Sequence, residues 1–413
     1  SASWSVPLLA VRWSPTFRCR LRGGEQEQVP NCACWGNAPA WRVVPGYRVC
    51  DESIHIASPI LRTFAHMTGQ DELLRVIDQS VGVYGTSPTC FLSALARKPD
   101  FVLDEFTGAI GARRLVRIRA MRYSAHTFPV GLLEIAAAAT RSLVRKTNPY
   151  RKRIEGSYDD LVRRVEEVLA GGPLPAVEIR AALDPERELG ELFNVLLGMA
   201  AADFRIVRAT TTGSWRSDRF LYARWRDWLP DCDPESIDEA SARRTLVERY
   251  VAAYGPVEYA DVKWWTGWTK AETLGAIEGL DLTVVGNAIE MLDGVRLLPV
   301  WDVLMVAYKN RDRLYDPSYA PLIHDRFGNA TSVVVDGGRV VGQWDLGSSD
   351  DPLSIRVAPF SNWPKTRWNQ VEEQAGRIAT LIGAQQLEVI PVDEPVDLLD
   401  SSRNRFLAPL SHR

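Results

Sequence analysis

No uninterrupted apolar run in this 413-residue chain approaches the roughly 20 residues needed to cross a bilayer. The start, Ser1-Ala2-Ser3-Trp4, lacks the basic n-region of a secretory signal, so the expectation is a cytoplasmic protein with no membrane partner. Cysteine is too sparse for a disulfide scaffold: there are six, and four of them (Cys19, Cys32, Cys34, Cys50) crowd into the first fifty residues. One Cys-x-Cys and two distant singles also lack the regular spacing of a zinc site, which leaves reduced thiols as the plain reading. Residues 1–55 show neither helical nor strand periodicity and read as an irregular extension. Nothing in the composition calls for a cofactor or a metal. With 46% hydrophobic and 24% charged residues, the chain is long enough for two to four globular units with a buried core.

Overall basicity is absent too, since the formal net charge is -3. That argues against a uniformly basic nucleic-acid binder, yet the charge is unevenly placed. Arg113, Arg114, Arg117, Arg119 and Arg122 form one run without an acid, and Arg141, Arg145, Lys146, Arg151, Lys152 and Arg153 form another. By contrast the tail from Asp345 onward carries Asp350, Asp351, Glu372, Glu373, Glu388, Asp393, Glu394, Asp397 and Asp400. A basic face on a polarised molecule is the footprint expected of a protein that tracks phosphates; the alternative is a charge run that only solvates a surface.

From Pro59 onward, short helices ended by turns alternate with pairs of β-rich runs, and the grouping recurs. In the first group 72–78, 91–96 and 101–110 read as helices ahead of an Arg-rich strand over 114–121. In the second, 158–169, 177–183 and 191–201 are helical, the last carrying Leu192, Val195, Leu196 and Met199 on one stripe. A hairpin then turns around Thr212-Gly213-Ser214. In the third, 245–254, 259–265 and 269–279 are helical, with Thr269 and Glu272 spaced as a capping box, and 282–285 with 288–291 read as a wing. Beyond it 295–308, 331–335, 339–344 and 353–359 look strand-like and 369–382 helical. Helix, helix, helix, hairpin is the order of a winged helix. The expected fold is mainly α with β wings (α+β): three tandem winged-helix modules over 56–130, 131–232 (with a linker) and 233–293, and a β-rich C-terminal cap over 294–413.

Two short segments carry the chemistry: Val81-Gly82-Val83-Tyr84-Gly85-Thr86-Ser87-Pro88 and Met121-Arg122-Tyr123-Ser124-Ala125-His126-Thr127-Phe128-Pro129. Further along stand Gly213-Ser214-Trp215-Arg216-Ser217, Ala253-Tyr254-Gly255-Pro256, Trp264-Trp265-Thr266-Gly267 and Leu297-Leu298-Pro299-Val300-Trp301-Asp302. In this order the segments resemble the winged-helix DNA glycosylases of the AlkZ and YcaQ type, which remove alkylated bases from DNA. The resemblance implies modules curved around duplex DNA, a monomeric enzyme without metal or cofactor, and hydrolysis of the N-glycosidic bond of alkylated purines for repair or self-resistance. Alkylation at N7 or N3 makes the purine a cationic leaving group, so a placed water and a stabilised oxocarbenium-like sugar complete the task. Family members are understood to do this with a Gln-x-Gln or Gln-x-Asp pair. Aligning Gly82 with the glycine ahead of that pair puts Tyr84 and Thr86 in its place.

Neither side chain is a base near neutral pH. Thr86 could hold a water and Tyr84 could stack on a base, or Tyr84 is packed and Thr86 only caps the turn before Pro88. The resemblance makes His126 the third catalytic candidate and Arg122 a phosphate clamp. The expected DNA-binding set is Arg122, Arg117, Arg119, Arg145, Lys146, Trp215 at the wing turn, and Arg216. Trp264 and Trp265 are adjacent on a helix and point about 100° apart; one is expected to pack inside and the other to brace a module interface. The altered pair also admits a silent DNA-binding protein, a lesion sensor or transcription factor, or modules that contact only proteins.

Overall fold

The computed structural model describes residues 72–147, 151–325 and 328–393. The extension over 1–55 and its four cysteines lie outside the described residues, as do residues 394–413.

The first group runs α1 (Glu72–Gln79), β1 (Val83–Tyr84), α2 (Thr89–Arg97), α3 (Leu103–Gly111), β2 (Leu115–Arg119) and β3 (Ala125–Pro129). Its helices form where the sequence places apolar residues on one face; Leu73, Leu74, Val76 and Ile77 are all buried. Strand β1 pairs antiparallel with β3, Val83 opposite Thr127 and Tyr84 opposite His126. Gly82 makes this possible. It sits at φ 88°, and a Cβ there would fall 2.6 Å from the Phe128 ring, so any other residue would push the strands apart.

The supposed linker after β3 is an 18-residue helix, α4 (Val130–Thr147). Its run Ala136-Ala137-Ala138-Ala139 is fully buried and has the highest helix propensity available. The second group repeats the order of the first: α5 (Tyr158–Val168), β4 (Leu174–Pro175), α6 (Ala176–Leu183), α7 (Leu192–Ala202), β5 (Ile206–Thr212) and β6 (Arg219–Arg224). In both groups the short strand between the helices pairs with the last strand of the hairpin. The two hairpins meet at Arg117 opposite Arg208, giving one six-stranded sheet in the order β1-β3-β2-β5-β6-β4. The turn between β5 and β6 is thereby carried toward the first group.

The third group has the three expected helices, α8 (Glu239–Tyr254), α9 (Tyr259–Thr266) and α10 (Lys270–Ile277). The capping box holds, with the Thr269 hydroxyl accepting from the Glu272 N–H at 3.3 Å and the Glu272 carboxylate from the Thr269 N–H at 2.8 Å. The wing read over 282–291 does not form. The N–H groups of Gly286, Asn287 and Ala288 donate to the carbonyls of Gly255, Ala252 and Ala253, so the backbone that would have paired in a hairpin closes the end of α8 instead.

The C-terminal part is β-rich as expected: β7 (Val295–Leu298), β8 (Val333–Asp336), β9 (Arg339–Asp350), β10 (Leu353–Pro359) and β11 (Leu387–Pro391) form a sheet ordered β11-β10-β9-β8-β7, with α11 (Lys365–Ile382) crossing between the parallel pair β10 and β11. Only the first residues of 295–308 are strand. Trp301 then takes the left-handed region at φ 60° and a short helix follows over Val303–Val306. The first group shares one core with this sheet, where Leu73, Phe91 and Phe106 join Val295, Trp344 and Ile355. The fold is thus a mixed α and β one. Among the described residues no helix is long and apolar enough to cross a membrane.

Candidate active site and nucleic-acid interface

Tyr84, at the end of β1, and Thr86, in the bend that follows it, are both half-buried. The Tyr84 ring lies between the His126 ring at 6.0 Å and the tilted Trp301 indole at 5.3 Å. Burial pushes its phenol above the ordinary value, partly offset by Arg119, so it stays protonated. Trp301 owes its place to its neighbour. Asp302 is fully buried, forms a two-point ion pair with Arg97 at 2.8 Å on each side, and accepts from the Ser93 hydroxyl at 2.7 Å. Burial alone would raise the Asp302 carboxyl; the Arg97 guanidinium more than reverses this and holds it below the usual carboxylate range.

The Thr86 hydroxyl is sealed from solvent and has no hydrogen-bond partner among the described residues. Beside it the Ser87 N–H donates to Asp218 Oδ1 at 2.8 Å, and Arg117 donates to the same oxygen at 3.1 Å. Asp218 arrives from the turn between β5 and β6, in the second group. Its other oxygen makes no hydrogen bond within the described residues. A carboxylate therefore stands next to Thr86 although neither residue of the altered pair carries one, and reading the sequence segment by segment missed it.

His126 is buried and its pKa falls to about 4, chiefly because burial penalises the imidazolium. Its Nδ1 lies 3.1 Å from the Ser124 carbonyl oxygen. Since that oxygen only accepts, the neutral ring donates from Nδ1 and keeps Nε2 as an acceptor. A neutral His126 bonded in this way has no second N–H to offer a sugar or phosphate oxygen. The unfolded imidazole protonates below its ordinary 6.5 but the folded one only near 4, so between those values acid favours unfolding. The melting temperature should drop as pH is lowered from 6.5 to 4, with on the order of 3 kcal/mol due to His126. His126→Phe should flatten that slope in a thermal melt series; an unchanged slope would show the ring is not held neutral.

Arg122 and Tyr123 both occupy the left-handed region, at φ 52° and 60°, which costs about 1–2 kcal/mol per residue without glycine. The turn is held by Tyr123 N–H to the Ala120 carbonyl at 2.9 Å and Ser124 N–H to the Met121 carbonyl at 3.0 Å. Gly267, just past α9, packs on Arg122: a Cβ there would stand 3.3 Å from its Cα, on a backbone at φ 78°. The Arg122 guanidinium then lies over the Trp264 ring, 4.0 Å from its centre. Trp265 packs inside, stacked on Tyr250 at 4.4 Å, so the adjacent pair divides as expected.

Several of the other expected DNA contacts are occupied by protein. Arg117 is buried against Asp218, Arg145 pairs with Asp203 at 2.9 Å and with Glu235, and Arg216 pairs with Asp350 at 2.7 Å. Trp215 is buried, with its indole N–H 3.3 Å from Asp350; it lies at the turn between β5 and β6 as expected, but its ring is packed into the core and not presented to a base. Arg119 lies over the Tyr123 ring and donates to the Tyr123 carbonyl at 3.0 Å. Lys146 is exposed.

The first two groups are repeated helix–hairpin units joined in one six-stranded sheet, with Asp218 of the second bonded to Ser87 of the first. The family model for AlkZ-like DNA glycosylases matches residues 77–381, and the chain belongs to that family. It is similar to an interstrand DNA cross-link repair glycosylase of Streptomyces sahachiroi, 26% identical over 185 residues that cover 40% of this chain and 47% of that protein; the chain thus spans about half the length of the curated relative in this match. The solved structure of Streptomyces sahachiroi DNA glycosylase AlkZ superposes with a TM-score of 0.59 at 19% identity, covering 81% of this chain and 97% of that one. At that identity the superposition speaks for the fold.

Proposed function

We propose that the chain is a DNA glycosylase that hydrolyses the N-glycosidic bond of alkylated purines in duplex DNA, built on winged-helix modules and working as a monomer without metal. The observation that carries this is Asp218 beside Thr86. The alkylated purine leaves with the bonding electrons of the glycosidic bond, and positive charge develops on the sugar. Asp218 stabilises that charge and takes a proton from the water that adds to C1′, while Tyr84 faces the lesion edge. The products are the free base and an abasic site.

The relative's printed name, a cross-link repair glycosylase, supports bulky or cross-linking lesions as substrates. A second reading, a silent lesion binder, is favoured by one specific observation: Tyr84 and Thr86 stand where the family pair is polar and able to position water through amides. Incubating the protein with a duplex carrying one N7-methylguanine and scoring alkali-labile abasic sites separates the two. Multiple turnovers of product are expected. Tight binding with no abasic product would contradict the glycosylase reading and leave the silent binder.

A further inference from the structure

Trp264 carries more positive charge than a structural indole needs. Besides Arg122 at 4.0 Å, Lys309 Nζ lies 4.8 Å and the Arg311 guanidinium 5.1 Å from the ring centre. The three cations come from the β2–β3 turn and from the stretch after β7, and they meet on one half-buried ring.

None of the three is in an ion pair with a described carboxylate. Asp261, the acid in contact with this stretch, spends one oxygen on the Lys309 N–H at 2.8 Å and the other on the Glu258 N–H at 3.0 Å. Arg311 keeps the Tyr315 hydroxyl as a partner, but its Nε and one terminal nitrogen are sealed from solvent without a bond among the described residues. Burial and the repulsion of Arg311 disfavour the charge of Arg122, and burial disfavours that of Arg311. Arg311 is half-buried while Arg122 and Lys309 are exposed; like charges gathered on one ring without a counter-ion repel, and an anion that enters between them relieves this. Cation–π contact with the indole holds the guanidinium planes in place meanwhile.

We propose that Trp264, Arg122, Lys309 and Arg311 form a clamp for one internal phosphodiester of the DNA backbone, the one flanking the nucleotide presented to Tyr84 and Thr86. This rests on the DNA reading above and adds to it a site and a register. Arg122 links the two places, because it lies on the turn leading into β3, whose His126 stands opposite Tyr84, while its guanidinium covers Trp264. The arrangement suits a single-charged, tetrahedral group that several N–H donors can surround. Phosphate contacts of this kind fix position on the duplex and carry no sequence information.

The test is a binding titration by fluorescence anisotropy, with a duplex holding one tetrahydrofuran abasic-site analogue and 5′-hydroxyl ends. A neutral methylphosphonate is placed at each backbone position in turn. For the wild type, one position beside the analogue should weaken binding about tenfold. Arg311→Gln should lose the same factor on the unmodified duplex, show no further loss at that one position, and reduce the salt slope of log Kd by about one. Its melting temperature should hold or rise, since a repelling charge is removed; Lys309→Gln should behave alike. If the wild type binds but the losses simply multiply at every position, or if Arg311→Gln lowers the melting temperature and leaves affinity intact, the clamp is wrong and the DNA reading stands. If only duplexes with 5′-phosphate ends respond to Arg311→Gln, the site holds a terminal phosphate and the internal register is wrong. If the wild type shows no salt-dependent binding to any duplex, the DNA reading falls and takes the clamp with it.

Discussion

Asp218→Asn should slow single-turnover excision of N7-methylguanine about a hundredfold, the lower end of what a placed acid–base group supplies, while DNA affinity stays near the wild-type value. The substitution keeps the shape. Asn can still accept from the Ser87 N–H, so the turn between β5 and β6 has its anchor at 2.8 Å, and only the negative charge is lost. That charge is what an oxocarbenium-like sugar requires, and Tyr84 and Thr86 cannot supply it. Arg117 loses its counter-ion in the variant, so a lower melting temperature is expected, and the rate is to be compared well below it. An excision rate equal to the wild type's would remove Asp218 from the chemistry.

Asp302→Ala should destabilise the fold by about 3–5 kcal/mol, the usual cost of leaving a buried charge alone. Arg97 is only 1% exposed in its side chain and has no water to turn to. The same change frees the Ser93 hydroxyl and removes the side-chain acceptor for the Leu304 N–H at 3.0 Å, so the segment presenting Trp301 to Tyr84 loosens as well. Arg97→Met with Asp302→Leu should recover most of the loss, because no charge then remains inside. Chemical denaturation of the two variants decides the matter. A single-variant loss within the range of ordinary surface substitutions, about 0.5 kcal/mol, would mean that the pair does not fix this loop.

What the sequence made legible was local. The helices of the first two groups were readable because their apolar residues repeat at helical spacing, and the Thr269–Glu272 box because both of its bonds join residues three apart. The wing over 282–291 was misread since β-propensity at Val284 and Val285 cannot show that nearby N–H groups are already committed to the end of α8. Basic residues were over-assigned to DNA for a related reason. Their acids come from far along the chain, Asp218 to Arg117, Glu235 to Arg145 and Asp350 to Arg216, and no inspection of a charge run reveals them. The reverse holds for Trp264, which looked structural until folding brought Lys309 and Arg311 to its ring.

The central claim is that the duplex lies on the face formed by the β2–β3 turn, the β5–β6 turn and the segments around Trp264 and Trp301. A structure of the Asp218→Asn protein bound to a duplex with a single N7-methylguanine tests it most directly. The lesion sugar should stand against Thr86 and position 218, with the neighbouring phosphate on Trp264 between Arg122 and Arg311. A duplex seated instead on the five-stranded C-terminal sheet, with Tyr84 and Trp264 free of any nucleotide, would contradict it.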